Sequence, residues 1–273
     1  MNRSSRYFNW RALSPLSALF FVLLLPEPVH AQSRIVVTRL ESRNEVRKNT
    51  DLIVDDTVEI LTPDARSSVV AAFGRVARNQ EGQTWTVTVH VTSLFVDGSV
   101  RNSKMEDVEG EIRLTVLEAG AYAPGRHVLR IVYTVSSAFT ADGDRWISPR
   151  GDNLPGHQYA LRMQPLLTFG MLSAGETRVA NLPVEAARID ITVPSDVPLN
   201  DVVFRAHTGG DPYGPSRCDC TMDFAPSDHR ITIRTTRTIE PNNYLAIEMY
   251  FRPSSLSPDR AERRRLYAQA TQT

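Results

Sequence analysis

Two cysteines one residue apart, Cys218-Asp219-Cys220, are the only thiols in the chain. They stand between two histidines in the spacing His207-x10-Cys218-x-Cys220-x8-His229. Three chemistries suit these residue types: a disulfide, a metal site drawing on the flanking imidazoles, or a pair of inert thiols. A disulfide over one intervening residue closes a tight ring, because Cα separation along an extended strand nears the upper end a bridge tolerates. A strained bridge of that kind is easily reduced and suits a redox role. The metal reading is the poorer fit, since structural zinc sites place their cysteines two to four residues apart.

A second group lies in the stretch after Asp142-Gly143, where Arg145, Trp146, Arg150, Asp152 and His157 fall between turn signals without a repeating pattern. Trp146, Arg150, Asp152 and His157 form a candidate binding set, because aromatic and charged groups on a loop of a rigid scaffold often make a ligand site. The alternative is a loop that covers a sheet edge, with Trp146 as a buried plug. A third group is Asp55, Asp56 and Glu59. On a strand, Asp55 and Glu59 share one face and Asp56 takes the other. Asp56 thus intrudes on the apolar face of Leu52, Val54, Val58 and Ile60, where a carboxylate must find partners. Arg75, Arg130 or backbone N–H groups are the expected ones. His90 and His127 fall on strands, where a satisfied or surface imidazole is the ordinary outcome. No G-x-S-x-G, G-x-G-x-x-G, Walker loop or H-E-x-x-H occurs, so no catalytic residue is assigned and no cofactor is implied.

The elements that must position these groups read as strands. Trp85, Val87, Val89 and Val91 alternate with Thr84, Thr86, Thr88, His90 and Thr92, a period of two. The same alternation recurs at 108–116, 129–135, 189–193, 231–233 and 245–251. Asp97-Gly98, Pro124-Gly125, Asp142-Gly143, Pro155-Gly156 and Pro241-Asn242-Asn243 mark the turns between them. Many short strands with one apolar face predict an all-β protein, an antiparallel β-sandwich with two packed sheet regions. Residues 32–155 are read as the N-terminal region and 183–256 as the C-terminal one. Residues 156–182 lose the period-two pattern and are read as a connection, with a short helix near Tyr159–Leu167. Ser257-Pro258-Asp259 starts a short basic C-terminal helix over 257–273, with Ser257 as its N-cap and Pro258 at the first helical position.

Location follows from the first thirty-one residues. Arg3, Arg6 and Arg11 form a basic n-region, Leu13–Leu25 an apolar h-region, and Val29-His30-Ala31 a small-residue cleavage site. This is the pattern of a secretory signal peptide, with cleavage after Ala31; an uncleaved anchor is the alternative. The remaining 242 residues carry 28 Lys and Arg against 30 Asp and Glu. That balance excludes the basic footprint nucleic acid requires. No second apolar run reaches the ~20 residues of a membrane helix, so no transmembrane span is expected in the mature chain.

Four motifs in order carry a family resemblance: Val54-Asp55-Asp56-Thr57-Val58, Phe73-Gly74-Arg75-Val76, Gly125-Arg126-His127-Val128-Leu129-Arg130-Ile131-Val132-Tyr133-Thr134-Val135, and Ile239-Glu240-Pro241-Asn242-Asn243-Tyr244-Leu245. Over roughly residues 35–255 the chain resembles the extracytoplasmic N-terminal domain of membrane proteins grouped as domain-of-unknown-function family 2207. The family's Trp-Asn and Trp-Pro segments are not matched here, since Trp146 is followed by Ile147. The resemblance implies a β fold and an exported location, here without the family's transmembrane part, and supplies no catalytic residues.

Taken together, the sequence predicts an exported, non-enzymatic β-sandwich module that binds or scaffolds an unidentified protein or glycan of the cell envelope. The alternatives are an exported hydrolase with a site near Trp146–His157, and a thiol or metal protein centred on Cys218 and Cys220.

Overall fold

Alternation of apolar and polar side chains is what the chain converts into sheets, because each strand can bury only every second residue. The computed structural model describes Arg34 to Ala270 except 75, 79–83, 103, 109, 143–144, 148–152, 156–157, 164–166, 173–179, 210–217, 242 and 253; side chains are also left undescribed at 76–78, 84–85, 140–142, 145–147, 153–155, 158–163, 167–168, 172, 244 and 266–270.

The largest sheet has eight strands. From one edge to the other these are β19 (Cys220–Ala225), β20 (Arg230–Thr235), β17 (Ala187–Thr192), β1 (Val36–Val46), β2 (Leu52–Thr62), β10 (Gly125–Ser136), β6 (Thr88–Val96) and β7 (Ser99–Val100). Five further strands form a second sheet: β16 (Ala180–Asn181), β15 (Leu167–Leu172), β3 (Ser68–Gly74), β9 (Glu111–Leu117) and β8 (Met105–Val108). A third holds β11 (Thr140–Asp142), β14 (Gln158–Met163), β21 (Tyr244–Phe251) and β18 (Val202–Gly209). Two small ribbons complete the strands, β4 (Val76–Arg78) with β5 (Thr84–Thr86) and β12 (Arg145–Ile147) with β13 (Asn153–Pro155). The mostly antiparallel, all-β class expected from the pattern is present.

One pairing is parallel. β1 runs alongside β17, with Leu40 opposite Ala187 and Glu45 opposite Thr192. Parallel neighbours require a long crossover, and the chain between them supplies it. Strands from before residue 155 and after residue 183 therefore share one sheet.

The sheets meet through large side chains. Phe73 of β3 sits edge-on to Tyr133 of β10, ring centres 4.9 Å apart, so the five-stranded sheet covers the β10 side of the large sheet. Phe139 meets Phe251 of β21 at 5.5 Å, and Phe204 of β18 meets Phe224 of β19 at 6.2 Å. Edge-to-face pairs at these distances add to the burial term.

Three expectations are corrected. Tyr159–Leu167 is not helical: β14 occupies Gln158–Met163 and pairs with β21, Tyr159 opposite Phe251. Neighbouring strand edges reward extended backbone there more than local propensity rewards a helix. Along β6 the inward set changes from Val87 and Val89 to Leu94 and Val96, because a register shift beside Val91 inserts one extra residue against β10. Such a bulge turns the following side chains to the opposite face. The C-terminal helix, α1 (Arg260–Ala270), begins later than expected. Its N-cap is Asp259, whose Oδ1 accepts the Glu262 backbone N–H at 2.8 Å; Ser257 instead donates its N–H to Lys48 O at 2.6 Å.

The two adjacent aspartates separate as alternation requires. Asp55 faces outward and is clasped by Arg130, Nε to Oδ1 at 2.9 Å and Nη2 to Oδ2 at 2.7 Å. That hydrogen bond and charge hold its carboxyl below the usual range. Asp56 is buried, and its partner is Tyr133, whose hydroxyl donates to Oδ2 at 3.0 Å. Arg130 was expected on Asp56; the pleat puts it on the other face, and Arg75 lies outside the described residues. Arg130→Ala is expected to lower stability by less than about 1 kcal/mol in denaturant titration, because the pair is largely solvated.

Candidate functional site

Asp97-Gly98 makes the two-residue turn between β6 and β7, with Val96 opposite Ser99. Both turn residues have positive φ, 50° and 77°, the geometry in which an Asp-Gly pair joins twisted strands. The turn presses against β10. Asp97 donates its backbone N–H to Val128 O at 2.8 Å, and its Oδ1 accepts the Val128 N–H at 2.8 Å. Its second oxygen, Oδ2, lies 2.9 Å from Nδ1 of His127.

His127 sits on the inward face of β10, in line with Leu129 and Ile131 and near the strand's start. Its Nε2 is 2.8 Å from Ala123 O. Carboxylate and carbonyl are both acceptors, so the ring is held between them by its two nitrogens. Tyr122 stacks edge-on against the imidazole, ring centres 5.5 Å apart, and donates its hydroxyl to Ser67 O at 2.7 Å. Burial and the nearby Asp64 charge raise the Tyr122 phenol above its ordinary value. Burial alone would raise the Asp97 carboxyl, but hydrogen bonds from His127 and Val128 and the His127 and Arg101 charges outweigh it and bring it below the ordinary range.

These groups line a cleft of about 680 Å³ together with β9, the 118–123 turn, Arg101, Lys104 and Glu106. Gly120 permits that turn, with φ 77° and its N–H donated to Ala65 O at 2.8 Å. The volume is that of a small-molecule site. Its lining carries charges of both signs, Asp97, Glu106 and Glu118 against Arg101 and Lys104. Such a lining suits a ligand that itself carries separated charges of both signs. Ser68 Oγ, also in the lining, accepts the Ala119 N–H at 3.0 Å.

The sequence candidates are distributed elsewhere. Trp146 lies on β12, opposite Leu154 of β13; Arg150, Asp152 and His157 lie outside the described residues. Cys218 and Cys220 are joined as a disulfide, Cα atoms 5.0 Å apart. Among the described residues no group of three or more His, Cys, Asp or Glu is placed to hold a metal ion. His207 is buried on β18, and His229 turns its Nδ1 to Val197 O at 3.2 Å. Bridged sulfurs also lack the thiolate charge that zinc requires. No helix among the described residues is long and apolar enough to cross a membrane.

Sequence reading named Asp97-Gly98 as a turn and His127 as a strand residue but did not bring them together. The available signal was the turn: an Asp-Gly hairpin fixes where its carboxylate points, and a strand histidine is a natural partner for it.

No protein-family model matches the chain, and no curated protein matches it. Solved structures do. Yeast leukotriene A4 hydrolase in complex with bestatin is similar at 11% identity and TM-score 0.47, over 89% of this chain and 36% of that one. The native yeast enzyme is similar at 11% identity and TM-score 0.45, over 80% and 29%. An M1 zinc metallopeptidase from Deinococcus radiodurans is similar at 14% identity and TM-score 0.38, over 78% and 42%. The chain thus spans well under half the length of each. The expectation of a non-enzymatic binding or scaffolding module is corrected here: the matched structures are hydrolytic enzymes, in keeping with its hydrolase alternative, although likeness at this level reaches no further than β architecture.

Proposed function

We propose that this chain acts as an exported hydrolase, or as the substrate-binding portion of one, with the Asp97–His127 cleft receiving a small polar substrate. Export rests on the leader pattern of residues 1–31. The observation that carries the substrate reading is the cleft: a concave space of about 680 Å³ with a fixed aromatic–imidazole wall and charges of both signs. A short peptide, with ammonium and carboxylate ends, is the simplest ligand to match it.

Within the cleft, His127 orients and binds, since both of its ring nitrogens already face acceptors. Ser68, whose hydroxyl is also in the lining, is the one hydroxyl nucleophile we assign to the cleft for test. The test is hydrolysis of peptide, ester and glycoside substrates by the mature chain. Peptide cleavage is expected, and Asp97→Asn is expected to raise KM about tenfold with kcat little changed, because it loosens the ring that contacts ground state and transition state alike. Absence of turnover on all three classes, with no chemical-shift change at Tyr122 or His127 on adding peptide, would refute the proposal.

A further inference from the structure

We propose that the Cys218–Cys220 bridge is a thiol–disulfide exchange site for polypeptide thiols. The bridge has little structural work to do. A cross-link stabilises mainly by shortening the loops of the unfolded chain, an effect that grows with the residues enclosed, and here the sequence separation is two.

The segment is also held without it. Asp219, between the cysteines, donates its N–H to Thr208 Oγ1 at 3.0 Å and accepts the Thr236 N–H on its carbonyl at 2.8 Å. From Cys220 onward the strand is laddered to β20, Cys220 opposite Thr235 and Ala225 opposite Arg230. Opening the bridge therefore leaves both sulfurs in place, ready to close again.

Position favours access. Both cysteines are half-buried, and β19 is an edge strand with β20 on one side and, among the described residues, no strand on the other. Cys220, Met222 and Phe224 share one face by strand alternation. Met222 and Phe224 are exposed, Phe224 at 53%, which is unusual for apolar side chains that continue the buried face of Ile231 and Ile233. An extended polypeptide that pairs with this edge sets its own side chains next to those two and brings its own cysteine beside Cys220.

The exchange is balanced. A substrate thiolate attacks Sγ of Cys220, the Cys218–Cys220 bond breaks, and Cys218 leaves as a thiolate that takes a proton from water. The substrate's second thiolate then attacks its own sulfur in the mixed disulfide and releases the Cys220 thiolate, which is protonated in turn. Two electrons and two protons pass from substrate dithiol to protein. A second polypeptide disulfide restores the bridge by the reverse steps.

The test uses the mature chain without denaturant. A glutathione buffer is expected to open the bridge, read by intact mass after alkylation, while the circular dichroism spectrum of the reduced protein is unchanged. Cys218→Ser, which leaves Cys220 without a resolving thiol, is expected to accumulate a mixed disulfide with an oxidised two-cysteine peptide, at least about tenfold faster than Cys220→Ser. A bridge that opens only when the chain is unfolded, or equal trapping by the two variants, would overturn the proposal and leave a structural disulfide.

Discussion

Folded stability will fall as pH rises from about 4 to about 7, by on the order of 4 kcal/mol from one side chain, Asp56. Burial in the core is the largest influence on this carboxyl and raises it from 3.8 to about 7. The Tyr133 hydroxyl and Ser42, opposite Asp56 across the β1–β2 ladder, oppose the shift without cancelling it. The sign follows from linkage. The folded state holds the proton more tightly than the unfolded state, so the contribution is fully present below 3.8 and is lost as pH climbs through about 7.

The surrounding geometry agrees. Asp56 Oδ1 and Asn44 Oδ1 are both buried without a hydrogen-bond donor, and Asn44 lies diagonally from Asp56 on the same face, one pair along from Ser42. A proton on Asp56 Oδ1 removes the charge from that undonated, buried oxygen, which is the form burial favours. Burial and the neighbouring Asp56 also push the Tyr133 phenol well above its ordinary value, so that hydroxyl stays a donor. Asp56→Asn carries no charge to desolvate and is expected to flatten the dependence, becoming more stable than the wild type above about pH 7. Urea titrations of both proteins across this range supply the check, and parallel curves would refute it. The outward aspartates act in another window: Asp55 and Asp190, both held below 3.8, contribute stability that is lost only at more acid pH.

Glu262→Ala is expected to cost about 3 kcal/mol and to release the C-terminal helix from the sheets. The expectation from sequence was a short basic helix prone to fraying. The structure ties it down through its one acidic side chain in the first turn. Glu262 accepts the Thr50 hydroxyl at 3.1 Å on Oε1 and the Ser137 hydroxyl at 3.1 Å on Oε2. Arg265 Nε donates to Oε2 at 2.7 Å, and its Nη2 reaches both Oε1 and the Phe139 carbonyl.

Thr50 and Ser137 both have left-handed backbones, φ 76° and 59°, which a β-branched threonine adopts only under constraint. Glu262 is thus the common partner of two strained turns, one between β1 and β2 and one after β10. Without it, Arg265 loses the ion pair that spans the first turn, and the Thr50 and Ser137 hydroxyls lose the bonds that tie their turns to the helix. Thermal melts give the overall cost, and amide exchange at 47–51 and 260–265 locates it. Arg260→Ala, on the exposed side of the first turn, is the control, expected within about 0.5 kcal/mol of wild type. If Glu262→Ala behaves like that control, the helix is not anchored in this way.

A strand's own alternation is legible along the chain. The inward run Leu129, Ile131, Tyr133 and Val135, the opposed faces of Asp55 and Asp56, and the Asp-Gly turn at residue 97 are all local facts, set by a period of two and by turn stereochemistry. The all-β class follows from them. Partner choice is not local. Arg130 went to Asp55 because the pleat places them on one face, and Asp56 was left to Ser42 and to Tyr133, 77 positions away. His127 met Asp97 because β10 lies beside β6, and Glu262 reached Thr50 across 212 positions. The strand at Gln158–Met163 exists because β21 offers an edge to pair with, although its own residues lack the signature. Periodicity says which way a side chain points; only the assembled sheets decide what it meets, because hydrogen bonds and burial depend on distance in space and not along the chain.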